Sequence, residues 1–515
     1  MSHRARRRAR IPDPPVSLPE TTRIAAWLLA ALAVPRLVRI VYPAVWVEDD
    51  LLLQSALAVS RGLRPYLDFD HAQLPLLEWG AGLYIRLVGA SHLAMELLNG
   101  AAIYSVSVLI FLAGRSAVGR RAAMAASLLY ACHSLVFRYH VWAREFFVST
   151  LVLGAVAILF RAQLRERPST RAVLGAATLL CAACAIKLTA GVALAVVCLY
   201  LALGMRAPQR AAVLALTAGS GLAAFVAFCY WRYGEPFLFE AFLFHFMKGV
   251  DASAGPSYLL SLLDLLGPFS LLGAWYLAQP ARWNHALGLA GAVLLAYLLF
   301  FAVVSPTAWG HNYLEAWPFV CLLAGAGVAW LGDAWRMSWM RAAAGAAAAA
   351  ACLVWFTPFG NESASRGSVY GFGFIPRPEL SQLAAALRDG TGHDDQVIAP
   401  SFIAFEANRL QAIRYPESRG VMQSGDDLRR AAGFAQARER FGTASFYDLI
   451  NQTSDVWNQD VIRAIAPGGR VNTMIPDSPI QLLPLVNASP AALSDRGFRL
   501  ALKTEHFSLW LRHAP

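Results

Sequence analysis

The stretch from Ile24 to Asp50 reads IAAWLLAALAVPRLVRIVYPAVWVEDD, and it decides the class of fold. The apolar run from Ile24 to Val47 is long enough for a membrane-spanning helix, which needs roughly 20 residues. Glu48, Asp49 and Asp50 follow where such a helix would leave the lipid. Three adjacent carboxylates at a bilayer edge repel one another and are poorly solvated, so such a cluster favours chemistry or cation binding over stability.

The rest of the chain continues the membrane pattern. Hydrophobic residues make up 57% of the 515 residues and the mean hydropathy is +0.46, values that exclude an ordinary soluble protein. The apolar segments predict about eleven spans. These predicted spans are 24–45, 92–114, 121–138, 143–162, 171–187, 189–205, 210–231, 259–279, 284–304, 313–332 and 338–357.

The charge distribution predicts the orientation. Lys and Arg outnumber Asp and Glu by 28 to 17 up to Thr357, whereas the counts are 16 and 16 from Pro358 onward, so the net charge of +11 belongs to the apolar part. The excess lies in short loops on one side, which is typical of cytoplasmic loops and not of a nucleic-acid-binding surface. We therefore expect a cytoplasmic basic tail (1–23), a membrane domain (24–357) and a C-terminal domain (358–515) outside a cell membrane, either inner or plasma.

Two outer segments, 46–91 and 232–258, are too long for simple turns. In the first, the pattern predicts a helix over Asp50–Arg61, ended by Gly62, and a helix over Pro75–Val88 that lies in the outer interface. The polar composition beyond Pro358 predicts a soluble α/β domain. Its predicted elements are strands at Val397–Phe405 and Leu500–Leu511 and helices at Asp426–Phe441 and Pro490–Arg496.

Polar residues gather on the outer side of the predicted membrane domain. An acidic cluster that faces several cations suits a substrate with an anionic, lipid-buried group and a hydroxyl to be activated. Besides the acidic triplet, the outer polar residues include Asp68, Asp70, His71, Arg138, His140, Arg144, Glu145, Lys187, Lys248, His311, Tyr313 and Glu315.

Several of these residues have a second interpretation that the sequence leaves open. Lys187 is one of three lysines in the chain; it either binds a phosphate or is a turn lysine whose ammonium reaches the surface. Arg144 and Glu145 fit an ion pair at the start of a helix equally well. His311 fits a solvated loop, and Asp68 and Asp70 fit turn and capping roles beside Pro65.

The ordered set of motifs resembles the GT-C glycosyltransferases, in the branch of the protein O-mannosyltransferases and lipid A aminoarabinose transferases. The resemblance covers roughly residues 22–360. It rests on the acidic pair after the first helix, on GLRPYLDFDHAQLP (62–75), on Ala143-Arg144-Glu145, on Lys187-Leu188-Thr189 and on HNYLEAWP (311–318). It implies a GT-C fold, a polyprenyl-phosphate-linked sugar donor, and transfer of a hexosyl or pentosyl group to a lipid, glycan or protein acceptor outside the cytoplasm.

The resemblance also implies roles for individual residues. The family's acidic pair fits either Glu48-Asp49 or Asp49-Asp50, and Asp49, common to both, is the expected base. A single displacement would invert the anomeric centre. The expected partners of the donor phosphate are Lys187, Arg144, His311 and Arg138, and those of the acceptor or the rest of the substrate are Asp68, Asp70, His71, Glu145 and Tyr313. No cofactor is certain, and a divalent cation such as Mg²⁺ or Mn²⁺ would bind through Asp49 and Asp50.

Two other classes of protein fit parts of the pattern. A transporter or flippase of lipid-linked sugars would place its charges at mid-membrane in helices related by an internal repeat, and the sequence has no visible repeat. A sensor or scaffold with an outer binding domain would not need Lys187 at membrane depth or the long first loop. We therefore expect an enzyme.

Overall fold

The structure is a computed structural model. It describes residues 44–46, 53–69, 71, 73–133, 144–163, 168–243, 285–304, 310–334, 374–411, 473–475, 490–504 and 507–512. The acidic triplet, most of the predicted first span, the predicted spans at 259–279 and 338–357 and the predicted helix at Asp426–Phe441 lie outside these residues.

The described part of the apolar region is helical. A short strand, β1 (Ala44–Trp46), precedes the helices. In chain order the helices are α1 (Leu53–Ser60), α2 (Leu76–Val88), α3 (His92–Ala117), α4 (Arg120–His133), α5 (Arg144–Gln163), α6 (Thr170–Ile186), α7 (Gly191–Leu199), α8 (Pro208–Tyr233), α9 (Glu235–Leu238), α10 (His285–Leu299) and α11 (Trp317–Ala334). Segments of 3-10 helix occupy Leu188–Ala190 and Gly310–Glu315, and segments of π-helix occupy Tyr200–Gly204, Phe239–Leu243 and Phe300–Val304.

Three helices in the described residues are long and apolar enough to cross a membrane: α3, α8 and the stretch Ala286–Val304. Shorter apolar helices cover Thr170–Ile186, Leu188–Gly204 and Trp317–Ala329. Each coincides with a predicted span to within a few residues. The total of eleven spans stays a prediction.

Capping residues and glycine set several helix ends. The Ser91 side chain accepts a hydrogen bond from the Ala94 backbone N–H at 3.1 Å and caps α3, and Ser169 does the same for α6. Gly234 ends α8 with φ at +70°, a conformation that favours glycine.

Helix α3 packs against α4 and α5, α5 against α6, α6 against α8, and α4 against α11. One large apolar core therefore runs through the helical domain.

The predicted helices of the first outer segment are confirmed. Helix α1 ends just before Gly62, whose φ of +87° stops the helix. Helix α2 packs against α1 on one side and leaves Leu83, Leu87 and Val88 exposed on the other. Such an apolar outer face suits a helix at a membrane interface.

The described C-terminal residues form a mixed α/β unit. Its helices are α12 (Arg377–Asp389), α13 (Ser401–Glu406) and α14 (Pro490–Asp495), and its strands are β2 (Phe374–Pro376), β3 (Gln396–Val397), β4 (Leu410–Gln411), β5 (Thr473–Met474), β6 (Arg499–Lys503) and β7 (Ser508–Leu511). Strand β7 pairs antiparallel with β5 and β6, β3 pairs parallel with β4, and β2 pairs antiparallel with β1 of the membrane domain. These elements enclose a small core of their own, which includes Leu383, Phe402 and Trp510.

Two strand predictions need correction here. The predicted strand Val397–Phe405 is extended only at its start: Val397 belongs to β3, Ile398 makes backbone hydrogen bonds with Thr473 and Ile475, and the apolar residues after Pro400 form α13. The predicted strand Leu500–Leu511 is a hairpin of β6 and β7. The helix predicted over Pro490–Arg496 is confirmed as α14.

The close approach of α4 and α11 gives a test of this packing. A Cβ atom added at Gly325 in α11 would lie 2.5 Å from the Ala126 backbone nitrogen and 2.6 Å from the Ala122 carbonyl oxygen. Gly325→Ala should therefore destabilise the purified protein by about 1–3 kcal/mol, because backbone atoms cannot move aside as side chains do. The measurement is the thermal unfolding midpoint in detergent. Gly219→Ala in α8, where no atom lies within 4 Å of the added Cβ, is the matched control and should not lower that midpoint.

Candidate active site

A buried lysine holds three separate parts of the chain together. The Lys187 ammonium Nζ lies 2.6 Å from Glu145 Oε1, 2.8 Å from Asn312 Oδ1 and 3.0 Å from Glu315 Oε1. The Thr189 hydroxyl donates to the same Glu315 oxygen at 2.6 Å. We call these five residues the lysine network.

The local backbone explains how Lys187 comes to be there. Helix α6 ends at Ile186, and Lys187 has an extended conformation (φ −152°, ψ 124°) before the 3-10 turn of Leu188–Ala190. The break turns Lys187 and Thr189 toward the 3-10 segment Gly310–Glu315, which carries Asn312 and Glu315. Glu145 comes from the first turn of α5.

Because the charged residues of the lysine network are buried, the loss of one of them is expected to destabilise the protein strongly. Lys187 is 8% exposed, Glu145 4% and Glu315 1%. The ammonium donates hydrogen bonds to Glu145 and Asn312 and also forms an ion pair with Glu315. Removing one member of a buried ion pair leaves the other charge uncompensated, at a cost of about 3–5 kcal/mol.

A second buried cluster lies on the other side of the first turn of α5. Arg144 donates to Glu78 Oε1 from Nη2 at 2.9 Å and from Nε at 3.3 Å. His71 Nε2 lies 3.2 Å from Glu78 Oε2, although the two atoms are not aligned as a hydrogen bond. The His71 backbone N–H donates to Glu240 Oε2 at 2.6 Å. We call Arg144, Glu78, His71 and Glu240 the arginine network.

The electrostatics of Glu78 follow from these partners. Burial alone would raise the pKa of its carboxyl, but His71 and Arg144 outweigh that effect and lower the pKa to about 2. Glu78 therefore stays ionised at any physiological pH and keeps Arg144 in place.

The loop that carries His71 is held by aromatic packing. Tyr66 is fully buried and has a positive φ of 67°, a conformation that costs energy in a residue other than glycine. Its backbone N–H donates to the Phe69 carbonyl oxygen at 2.7 Å, and its ring packs against those of His71, Tyr233 and Phe237. The aromatic cluster thus fixes the orientation of His71.

Arg144 and Glu145 join the two networks. They are consecutive in sequence, and each pairs with a different residue: Arg144 with Glu78 and Glu145 with Lys187. The dipeptide therefore connects the long first outer loop to the break after α6.

Three of the other predicted site residues can be placed in part. Asp68 accepts hydrogen bonds from the Arg64 backbone N–H at 2.7 Å and from its guanidinium at 3.0 and 3.1 Å, which is the turn role that the sequence left open. Tyr313 is fully buried and packs edge-to-face on Phe301. His311 lies in the same 3-10 segment as Asn312 and Glu315. The predicted residues outside the described part of the chain are Glu48, Asp49, Asp50, Asp70 and Arg138.

Sequence reasoning did not select five members of these networks as site residues: Glu78, Glu240, Asn312, Glu315 and Thr189, the last of which lies in the 187–189 motif. A signal existed for each of them. Glu78 and Glu240 are single carboxylates in strongly apolar stretches, where a buried acid needs a partner. Asn312 and Glu315 lie within the 311–318 motif itself.

Nothing in the described residues adds to the predicted cation site. Among those residues, no group of three or more His, Cys, Asp or Glu side chains could hold a metal ion. Since Asp49 and Asp50 lie outside them, binding of Mg²⁺ or Mn²⁺ there stays a prediction.

Comparison with known proteins gives a clear result for the fold. Neither a protein-family model nor a curated protein sequence matches the chain. Among solved structures, the chain is similar to ArnT from Cupriavidus metallidurans bound to undecaprenyl phosphate, with a TM-score of 0.60 and 13% sequence identity over 94% of this chain and 98% of ArnT. The apo state of the same protein gives a TM-score of 0.61 at 13% identity over 95% and 98%. The oligosaccharyltransferase of Archaeoglobus fulgidus gives 0.48 at 12% identity over 88% and 69%.

The predicted fold class is thereby confirmed at the level of architecture. The chain has the fold of ArnT over nearly the full length of both proteins, and ArnT is a GT-C protein. Together with the apolar helices, this makes the chain a multi-pass helical membrane protein of GT-C fold.

Substitution of the buried lysine tests the lysine network. Lys187→Met keeps the length of the side chain but removes its charge, so Glu145 and Glu315 lose their shared cation. We expect the protein to lose about 3–5 kcal/mol of stability, measured as a lower thermal unfolding midpoint in detergent. Lys503→Met, at an exposed lysine of β6, is the matched control and should leave the midpoint within the error. Equal midpoints for the two variants would contradict the network.

The lowered pKa of Glu78 predicts a pH-dependent stability difference. Its pKa is about 2 in the folded protein against an ordinary 4.5, so its contribution is fully present above pH 4.5 and is lost as the pH falls toward 2. Wild type should exceed Glu78→Gln by about 3 kcal/mol at pH 7 and by about half as much at pH 3. Unfolding midpoints of both proteins across this range provide the measurement. A difference that is constant between pH 7 and pH 3 would show that Glu78 is not held ionised by its partners.

Proposed function

We propose that this protein is an inverting glycosyltransferase that moves a sugar from a polyprenyl-phosphate donor to a lipid, glycan or protein acceptor on the non-cytoplasmic face of a cell membrane. The observation that carries the proposal is the similarity of fold to ArnT across nearly the full length of both chains. ArnT, a lipid A aminoarabinose transferase, binds undecaprenyl phosphate. A related donor class suits a chain whose site is built between membrane helices.

The sequence supports a donor that arrives already activated. It contains no phosphate loop, no dinucleotide fingerprint and no nucleophile elbow. A sugar linked to a lipid phosphate has its leaving group in place, so the enzyme needs a base for the acceptor and charge stabilisation for the departing phosphate.

Asp49 is the proposed base. In this mechanism the acceptor hydroxyl approaches the anomeric carbon from the side of the first outer loop. Its proton passes to an Asp49 carboxylate oxygen as the new glycosidic bond forms. The bond from the anomeric carbon to the lipid phosphate breaks on the opposite face, so the configuration at that carbon inverts. Glu48 and Asp50 flank the base and raise the local negative charge.

The proposed phosphate partners differ in what the structure shows of their contacts. Arg144 is held by Glu78 through one of the two carboxylate oxygens. Lys187 donates hydrogen bonds to Glu145 and Asn312 and pairs with Glu315, so a phosphate would have to compete with these partners for its ammonium. Its predicted phosphate contact stays a prediction, and its observed contacts support an organising role toward Glu145 and Glu315. His311 and Arg138 remain proposed phosphate partners on the motif alone.

The proposal includes an orientation of the protein in the membrane. We infer that the N-terminal basic tail is cytoplasmic, since Lys and Arg are concentrated in the loops on that side. The acidic triplet, the two networks and the C-terminal domain then share the outer side, where the lipid-linked donor and the acceptor meet.

The proposal is tested by removing the base. Asp49→Asn keeps the size of the side chain but cannot accept the proton, so transfer from a polyprenyl-phosphate sugar by the purified protein should fall at least 100-fold. Asp495→Asn, the same substitution at an exposed residue of α14, is the control and should transfer at the wild-type rate. Product anomers are identified by NMR, and retention at the anomeric carbon would contradict the single displacement.

The same preparation separates transfer from transport. With the protein in liposomes that contain the lipid-linked sugar, we expect a new glycosidic product and no net movement of the lipid-linked sugar between leaflets. Translocation without any product would overturn the assignment as a transferase.

A further inference from the structure

Lys187 contacts two segments of the chain that carry other predicted site residues. Its ammonium Nζ lies 2.6 Å from Glu145 Oε1 in the first turn of α5 and 2.8 Å from Asn312 Oδ1 in the 3-10 segment that precedes α11. The residue before each of these two partners, Arg144 and His311 respectively, is a proposed phosphate partner. One nitrogen atom therefore holds together the two backbone segments that carry them.

The 3-10 segment has further polar contacts near its C-terminal end. Glu315, its last residue, places Oε1 3.0 Å from Lys187 Nζ and accepts a hydrogen bond from the Thr189 hydroxyl at 2.6 Å. The buried Ser149 hydroxyl of α5 donates to the Leu314 carbonyl oxygen at 3.4 Å. The contact through Lys187 thus adds to a direct contact between α5 and the 3-10 segment.

Aromatic packing holds the same segment against a different neighbour. Tyr313 is fully buried, and its ring packs edge-to-face on Phe301 with the ring centroids 5.5 Å apart. Phe301 stacks in turn on Tyr297 of α10 at 5.7 Å. Ring contacts of this kind are favourable over a range of distances, whereas hydrogen bonds have a narrow range of length. The polar contacts therefore set the position of the segment relative to α5.

The surroundings of Lys187 Nζ disfavour a phosphate as a further partner. Carboxylate oxygens of Glu145 and Glu315 lie within 3.0 Å of Nζ, and all three side chains are buried. A phosphate in contact with Nζ would come close to both carboxylates, and like charges repel strongly where water does not screen them. The ammonium is thus placed to bind protein carboxylates.

We propose that Lys187 is a positioning residue, which fixes the 3-10 segment that carries His311 against the start of α5 and does not contact the donor phosphate. Its partners in that segment are Asn312 and Glu315, and Thr189 orients Glu315. The inference rests on the proposed function for its effect on sugar transfer. The contacts that it assigns to Lys187 can be tested without any reaction.

Lys187→Met in the full-length protein separates positioning from phosphate binding. Misplacing a reacting group by about 1 Å costs on the order of 100-fold in rate, so kcat for sugar transfer should fall about 10- to 100-fold. KM for the polyprenyl-phosphate sugar and Kd for undecaprenyl phosphate should each change less than about threefold, because no donor contact is removed. A rise of about tenfold or more in KM and Kd would show that Lys187 binds the phosphate, and would overturn the proposal.

A second destabilised variant controls for the loss of stability in Lys187→Met. Gly325→Ala crowds α4 against α11 and leaves every member of the lysine network in place. Assayed at a temperature at which both variants are folded, Gly325→Ala should keep the wild-type kcat. An equal fall in kcat in the two variants would show a general effect of instability and would overturn the positioning role.

Glu315→Gln is a milder change that keeps the proposal testable if Lys187→Met does not fold. Glutamine keeps an oxygen that can accept from Thr189 and Lys187, but it has no charge to hold the ammonium. The weaker contact should lower kcat about three- to tenfold and leave KM for the donor unchanged. If Lys187 bound the phosphate, loss of the competing carboxylate would instead lower KM and tighten binding of undecaprenyl phosphate, and this result would overturn the proposal.

Thr189 offers a matched pair of variants. Valine has nearly the shape of threonine but no hydroxyl to donate to Glu315, whereas serine keeps the hydroxyl. Thr189→Val should lower kcat about threefold, the effect of one modest hydrogen bond, and Thr189→Ser should keep the wild-type kcat. Equal kcat values in the two variants would contradict the role assigned to the Thr189–Glu315 hydrogen bond.

Hydrogen–deuterium exchange separates this inference from the proposed function. Peptides that contain residues 310–315 should exchange about tenfold faster or more in Lys187→Met than in wild type and Gly325→Ala, because the segment loses its contact with α5. If wild type transfers no sugar but this increase is seen, the proposed function fails and the positioning role holds. If wild type transfers sugar and exchange in this segment is the same in all three proteins, the positioning role fails alone.

Discussion

The rest of the site depends on one constraint: a lysine charge buried within the helical domain must be matched by carboxylates. Lys187 meets it with Glu145 and Glu315, supported by Asn312 and Thr189. These partners come from the start of α5, the turn after α6 and the 3-10 segment before α11. A misplacement of any of the three segments would leave an uncompensated charge in a poorly solvated interior. The charge match therefore specifies how these segments meet, which apolar packing alone would leave less well defined.

The same constraint extends outward through the first turn of α5. Because Glu145 is committed to Lys187, its neighbour Arg144 points to the other side and fixes Glu78 of α2. Glu78 in turn approaches His71, and the backbone of His71 is tied to Glu240. The long first outer loop is thus anchored to the helical core by charge at one end, while α1 is anchored to the C-terminal domain through Arg61.

Local sequence patterns predicted many of the helices, but they did not predict which side chains pair between them. The apolar runs predicted α3, α5, α6 and α8 to within a few residues, because a membrane helix must satisfy its backbone internally and be long enough to span. The motifs pointed to Lys187 and to Glu145, since ions at membrane depth are rare. Neither kind of signal identifies partners. Nothing local indicates that Glu145 pairs with Lys187, or that Glu78 pairs with Arg144, because those pairs are made by tertiary packing.

In the C-terminal domain, local sequence patterns were a weaker guide to both the elements and their pairing. The run Val397–Phe405 is apolar and short, a pattern that a buried strand and a buried helix share. The helix prevails after Pro400 because α13 buries one face against α1 and the other within its own domain. Pairing of β1 with β2 joins residues more than 300 positions apart, which no periodicity in a single sequence reveals. The predicted first span, 24–45, wrongly included Ala44 and Val45 of β1, because no local signal indicates that these residues pair with β2.

The two networks contain more carboxylates than permanent cations, which bears on how the proposed lipid-phosphate donor would bind. Their carboxylates are Glu78, Glu145, Glu240 and Glu315, and their permanent cations are Arg144 and Lys187, both already engaged. Among the described residues of the two networks, carboxylates therefore outnumber permanent cations. The proposed lipid-phosphate donor would need cations beyond the two networks, and the sequence offers Arg138, which precedes α5 in the chain, and Arg36 and Arg39, which precede the acidic triplet. On this view the two networks fix how the helices of the described domain meet, and contact with the proposed substrate falls to residues outside the networks.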